Sequence, residues 1–244
     1  VCNLSSDEIM ERIKKAGIVG MGGASFPSHV KLSIPNGCKA EFLIINGVEC
    51  EPYLTSDHRV MLERSEELLI GVEILKKMLG VDNAVIGVEN NKPDAIAKLK
   101  RLAKDKKFEV TIEPLKVKYP QGGEKQLIAA VTDRQVPPPP GLPIHVGAVV
   151  MNASTAVAVY DAVQKNKPLI ERVVTITGQS MQNPSNLLTR VGTPISKLIE
   201  YAGGLPEGDI KVIIPSKNEI KYCIERSFRA FFHIIRIHSF GSLV

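Results

Sequence analysis

Four bends in the chain hold the residues best suited to chemistry. The first reads Gly17-Ile18-Val19-Gly20-Met21-Gly22-Gly23-Ala24-Ser25-Phe26-Pro27. Its glycines leave consecutive backbone N–H groups unobstructed by Cβ atoms, the makings of an anion cradle. No Gly-Lys-Ser/Thr follows, so it is not a P-loop. A helical pattern precedes it and Ser25 takes the third glycine position, so it is not a dinucleotide fingerprint either. Lys31 could add a point charge to a phosphate or to an electron-rich ring. A tight turn followed by a surface lysine accounts for these residues equally well.

The second bend, Asn46-Gly47-Val48-Glu49-Cys50-Glu51-Pro52, follows an apolar run. Asn46, Glu49 and Glu51 would stand at the carboxyl end of a strand, where open α/β sheets bind ligands. Carboxylates there can accept hydrogen bonds from ribityl or ribose hydroxyls, although an exposed acidic turn is the commoner outcome. No serine or cysteine nucleophile motif accompanies His58, which reads as a helix-entry hydrogen-bonding residue rather than a general base. The third and fourth bends are Tyr119-Pro120-Gln121-Gly122-Gly123-Glu124-Lys125 and the corner at Asn152, Ser154 and Thr155. Both are helix entries, which favour a negative group, and together with the first loop they could surround a flat, phosphate-bearing ligand. As separate caps each also has an ordinary explanation.

The elements that must position these bends follow from periodicity. Residues 5–16 read as a helix with Ser5 as N-cap and Glu8 completing a capping box. Strands are expected at 41–46, 84–88, from 108, 146–150 and 172–177, with helices at 60–79, 93–103, 123–131 and 154–165 between them. Strict alternation of strand and helix predicts an α/β fold with a mainly parallel sheet flanked by helices. Beyond residue 178 the texture changes to short strands, a helix at 194–201 and a strand at 209–214, predicting a small second module.

Composition narrows the function. A chain of 244 residues with 44% hydrophobic residues is long and apolar enough to fold around a core. No run of about eighteen apolar residues occurs, and no export signal opens the sequence. The four cysteines are widely spaced, which predicts neither a disulfide framework nor a metal site. A net charge of +5 and the absence of tryptophan give no basis for nucleic-acid binding.

Taken together, the segments 17–27, Ile44-Ile45-Asn46-Gly47-Val48-Glu49-Cys50-Glu51-Pro52 and Lys118-Tyr119-Pro120-Gln121-Gly122-Gly123-Glu124-Lys125-Gln126-Leu127 resemble the C subunit of the Rnf electron transport complex, an ion-translocating ferredoxin:NAD oxidoreductase. More distantly they are similar to the FMN-binding subunit of respiratory complex I and of NAD-reducing hydrogenases. Residues 186–194 resemble the soluble-ligand-binding β-grasp (SLBB) module of those proteins. The resemblance implies a domain for FMN and NADH over residues 1–168, a β-grasp module over 169–215 and an atypical tail over 216–244. It implies hydride exchange between NAD(H) and FMN, with electrons passed to 4Fe-4S clusters whose ligands this chain lacks.

By the same resemblance Gly20, Gly22 and Gly23 line the FMN loop with Lys31 near the flavin, and Asn46 and Glu49 hydrogen-bond the cofactor. Gly122, Gly123 and Glu124 contact it from the second loop, and Asn152 with Thr155 flank its phosphate. Phe26 would stack on the NADH adenine and Glu51 would approach the nicotinamide. Val48, Cys50 and Gly123 depart from the aspartate, serine and glutamate of the complex I relatives. The implied partners are the other subunits of a membrane-bound complex, NADH and, indirectly, ferredoxin. The implied location is peripheral, on the cytoplasmic side of the bacterial inner membrane. The chain begins at Val1, and it is expected to be a soluble fragment inactive by itself. Alternatives are a flavin-free scaffold or docking relative, or an electron donor to a soluble reductase such as proline reductase. In the tail, Ile224, Phe228, Phe231, Phe232 and Ile235 fall opposite Arg226, Arg229 and Arg236 on a helical wheel. That suits an amphipathic helix, while a substituted or out-of-frame end is the other expectation.

Overall fold

The computed structural model describes residues 3–178, 181–205, 210–216, 219–222 and 234–239, and these divide into two units. The first comprises Val1–Glu51 and Asp57–Leu169, the second Pro52–Ser56 and Ile170–Val244.

In the first unit the chain runs α1 (Ser6–Lys15), α2 (Ser28–Leu32), β1 (Phe42–Gly47), α3 (Ser56–Glu63), α4 (Ser65–Leu79), β2 (Asn83–Glu89), α5 (Pro93–Lys106), β3 (Thr111–Leu115), α6 (Glu124–Thr132), β4 (Ala148–Asn152) and α7 (Ala153–Lys165). The four strands are all parallel, in the order β3-β2-β1-β4. The α/β class expected from the alternation is therefore observed. Leu127 and Ile128 of α6 pack against Ile44, Ala148 and Val150. Elsewhere α4 meets α7 so closely that a Cβ on Gly71 would lie 2.1 Å from the Ala156 carbonyl oxygen.

Two local expectations are corrected. The single helix expected over 60–79 is two helices that meet at Arg64, whose φ/ψ of −124°/35° is not helical. The Ser65 hydroxyl donates back to the Met61 carbonyl at 2.6 Å, a bond that competes with regular helix at this bend. The strand expected from Phe108 starts only at Thr111, because the Phe108 N–H still donates to the Ala103 carbonyl and so closes α5. Pro114 is tolerated because β3 is an edge strand.

The second unit holds β5 (Glu171–Thr177), β6 (Ser185–Arg190), α8 (Ile195–Tyr201), β7 (Ile210–Ser216), β8 (Glu219–Tyr222) and β9 (Ile234–Ser239). They form a mixed sheet in the order β6-β5-β9-β7-β8. Val174, Ile176, Met181, Ile195, Leu198, Ile199 and Ala202 make its core. Strand β9 runs parallel to β5 and antiparallel to β7. Ile235 and Arg236, expected on an amphipathic helix, thus lie in a strand, consistent with the β-branched run Ile234-Ile235 and Ile237. Ile224, Arg226, Phe228, Arg229, Phe231 and Phe232 lie outside the described residues. The detached segment Pro52–Ser56 is anchored in this unit: the Thr55 N–H donates to Thr175 Oγ1 at 3.3 Å, and Asn186 Nδ2 donates to Thr55 Oγ1 at 2.9 Å.

Candidate cofactor site

Strand order decides where a ligand fits. From β1 the chain moves outward to β2 and β3, then crosses back to place β4 on the other side of β1. The reversal falls between β1 and β4, and a crevice opens at the carboxyl ends of strands where such a reversal occurs. The last pair on the β1–β4 ladder is Asn46 with Asn152.

The glycine loop reaches this point after α1, capped at Ala16, gives way to Gly17, whose φ of +65° favours glycine. It is closed at its base by the Val19–Pro27 bridge and by the Gly20 N–H donating to the Phe26 carbonyl at 2.8 Å. At its tip the Met21 N–H donates to Thr155 Oγ1 at 2.9 Å. A Cβ on Gly22 would fall 3.0 Å from the Asn152 side chain, so close approach requires glycine there. Phe26 is left 54% exposed beside the loop.

The remaining bends join the same corner. Asn46 Nδ2 donates to the Gly122 carbonyl at 2.9 Å, while Asn46 Oδ1 accepts from the Val48 N–H at 3.0 Å. A Cβ on Gly122 would lie 3.0 Å from the Val48 carbonyl oxygen and 3.2 Å from Cys50 Sγ. Lys31 and Glu124 form an ion pair in which each side chain is about one-third exposed. Gly123 is the N-cap residue of α6. Asn152 caps α7, its Oδ1 accepting from the Thr155 N–H at 3.2 Å.

Glu49 is turned inward. It is 6% exposed, and its two oxygens accept from the N–H groups of Asp57 and His58 at 2.7 and 2.9 Å, at the start of α3. Burial, and after it the Asp57 carboxylate, push its pKa up to about 7, against the pull of the two N–H donors and Lys92. His58 Nε2 is 2.9 Å from Asp94 Oδ1, in line with a hydrogen-bonding role. Glu51 closes the turn and is partly exposed. The structure thus gathers Gly22, Asn46, Gly122, Asn152 and Thr155 by direct contacts and ties Lys31 to Glu124. Sequence reasoning placed Ser154 at the α7 corner and Cys50 in the turn after β1, and missed Asp57, which accepts from both Asn152 and Ser154. Asp57 carried only the signal of an acid in a helix's first turn.

Comparison with known proteins meets this geometry. Residues 13–161 match the family model described as the Nuo51 FMN-binding domain, and residues 173–214 match the SLBB domain. The chain belongs to the Nuo51 FMN-binding domain family. Within it, the chain is 49% identical over 210 residues to the C subunit of the proton-translocating ferredoxin:NAD(+) oxidoreductase complex of Clostridium ljungdahlii, covering 86% of this chain and 45% of that protein. It is 44% identical over 212 residues to the Na(+)-translocating counterpart of Acetobacterium woodii, covering 86% and 47%. The resemblance to the Rnf C subunit is borne out, and the chain spans just under half the length of these relatives. Among solved structures, an NAD+-reducing [NiFe]-hydrogenase in the air-oxidized state superposes with a TM-score of 0.78 at 21% identity, covering 97% of this chain and 47% of that one. At that identity the likeness is one of fold.

Proposed function

We propose that this Nuo51-family chain binds FMN at the β1/β4 crevice and exchanges hydride with NAD(H) there, as the nucleotide-side part of a membrane-associated ferredoxin:NAD oxidoreductase. The observation that carries the reading is the convergence of Gly22, Asn46, Gly122 and Asn152 at the strand-order reversal. The residues fit the group: two glycines stand where any Cβ would meet a neighbouring bend, and the N-terminus of the 13-residue helix α7 opens beside them. When bound, FMN supplies the two-electron to one-electron conversion that no side chain here offers.

The protein's part is to bind and orient. Gly20, Gly22 and Gly23 would line the flavin from the first loop. Gly122, Gly123 and Glu124 would line it from the second, with Lys31 held by Glu124 at its edge. Asn152 and Thr155 would take the phosphate, with Asn46 fixing the Gly122 peptide. Glu49, whose oxygens are taken up by α3, would act by holding the turn. Exposed Phe26 would receive the adenine of NADH and Glu51 the nicotinamide end. Electrons would leave to iron–sulfur clusters outside this chain, in a complex attached to the cytoplasmic face of the membrane. Among the described residues no helix is long and apolar enough to cross a membrane.

One observation favours the flavin-free docking alternative: Val48 is buried in the apolar cluster around Leu127 and offers the site no polar side chain. A titration decides. FMN fluorescence should be quenched on binding at micromolar protein and the flavin absorbance bleached by NADH. Gly22→Asp should abolish both, because its side chain must enter the space held by Asn152. Absence of quenching in the wild-type protein at tens of micromolar flavin would establish the docking reading instead.

A further inference from the structure

Asp57 stands at the centre of the hydrogen bonds that join the bends. Its Oδ2 accepts from Asn152 Nδ2 at 2.6 Å, and its Oδ1 accepts from the Ser154 hydroxyl. Its own N–H is held by Glu49. Asn152 then uses Oδ1 to accept the Thr155 N–H, and Thr155 Oγ1 accepts the Met21 N–H. A continuous series of bonds therefore runs from the turn after β1, through Asp57, into the α7 corner and on to the tip of the glycine loop.

The direction of the bonds matters. A carboxylate only accepts, so it dictates which end of the Asn152 amide turns toward it. The amide nitrogen must face Asp57, and the amide oxygen is thereby presented to the first turn of α7. A neutral amide at position 57 would offer both donor and acceptor and would leave Asn152 free to turn over.

We propose that Asp57 is a positioning residue of the cofactor corner: by accepting from Asn152 and Ser154 it orients the α7 N-terminus and, through Thr155, places the Met21-Gly22 loop. The proposal rests on the FMN reading only for the identity of the ligand. Among the described residues, Glu49 from the turn after β1 interacts with Asp57, Lys92 acts on Glu49 from the turn ahead of α5, and Asp94 is engaged with His58. The Asp57 carboxylate is one of the groups that keep the Glu49 proton on toward neutral pH, so removing that charge lets Glu49 ionise at lower pH.

The test is Asp57→Asn, read in two ways. In the cofactor-free protein, amide hydrogen exchange of Met21 and Thr155 should accelerate about tenfold, as expected for one lost hydrogen bond, while Ile44 and Ile45 in β1 keep their rates. In a fluorescence titration the FMN dissociation constant should rise at least about tenfold at pH 7, an estimate from the same bond. The midpoint of its pH dependence should move downward relative to wild type. The FMN phosphate titrates in both proteins, so the difference between them is what counts.

Unchanged exchange at Met21 and Thr155 overturns the proposal. So does weaker flavin binding that keeps the wild-type pH midpoint, which would mean a general structural role. If wild-type protein fails to bind FMN, the FMN reading falls, and the exchange measurement still decides on Asp57. If Asp57→Asn does not fold, Ser154→Ala removes one donor and keeps the carboxylate. It should speed exchange at Thr155 and Met21 by a smaller factor, and wild-type rates there would overturn the proposal.

Discussion

Replacing Gly71 with alanine tests whether the α4–α7 contact holds the cofactor corner in place. An ideal Cβ at this position lies 2.1 Å from the Ala156 carbonyl oxygen and 2.8 Å from its carbon. Carbon atoms in comfortable contact are about 3.5–4.0 Å apart, so the helices must separate by more than an ångström. Both partners are backbone, and no side-chain rotation relieves the contact. Alanine gains about 1 kcal/mol over glycine in helix propensity, whereas overpacking costs ~1–3 kcal/mol, with the upper end appropriate here. The net expectation is a loss of about 2 kcal/mol, which for a chain of this length corresponds to roughly 4–8 °C in thermal midpoint.

Ala156 adjoins Thr155, the acceptor of the Met21 N–H. The displacement should therefore weaken FMN binding measured well below the transition. Circular dichroism melting and a flavin titration on the same samples are sufficient. Gly20→Ala is the control for stability: its Cβ would meet nothing nearer than 3.6 Å, and its midpoint should stay within about a degree, since strain-free changes cost little. A Gly71→Ala protein as stable as wild type would refute the packing argument.

Glu49 makes folding pH-dependent. Because its pKa is raised in the folded state, from 4.5 to about 7, the stabilisation it gives is complete below pH 4.5 and disappears as pH climbs through about 7. At about 1.4 kcal/mol per pH unit this amounts to at most ~3–4 kcal/mol. Urea titrations across pH 5–8 should show that slope in wild type and its loss in Glu49→Gln; equal slopes would contradict the burial argument. Arg64 grips Asp161 with two bonds at 2.8 and 2.9 Å. Arg64→Ala should cost about 2 kcal/mol, less than for a fully buried pair because water reaches part of it. A midpoint unchanged in urea would show that Lys165, 3.5 Å from Asp161, suffices as its partner.

Much of the fold could be read from local signals. The capping box at Ser5 and Glu8, the apolar run of β1, Pro93 opening α5 and Gly80 closing α4 in a left-handed conformation each act within a few residues of sequence. The four bends were legible as well, from glycines or polar capping residues where one element gives way to the next. What joins the bends was not. Asp57 and Ser154 lie 97 positions apart in sequence, and Lys31 and Glu124 lie 93 apart, so nothing local announces either pair. Glu49 reads as a solvent-facing acid until the start of α3 covers it. The place of β9 between β5 and β7 depends on pairing with distant strands, and a short stripe of apolar residues reads as readily on a helical wheel.

The excursion at Pro52–Ser56 bears on how these proteins can be taken apart. A chain cut after Leu169 would leave Thr55, which belongs to the second unit, stripped of Thr175 and Asn186, its hydrogen-bonding partners in that unit's sheet. Swapping the C-terminal module between relatives therefore requires grafting the segment Pro52–Ser56 from the middle of the first unit along with it. Domain exchange by simple end-to-end fusion would damage the loop between Glu51 and Asp57 first.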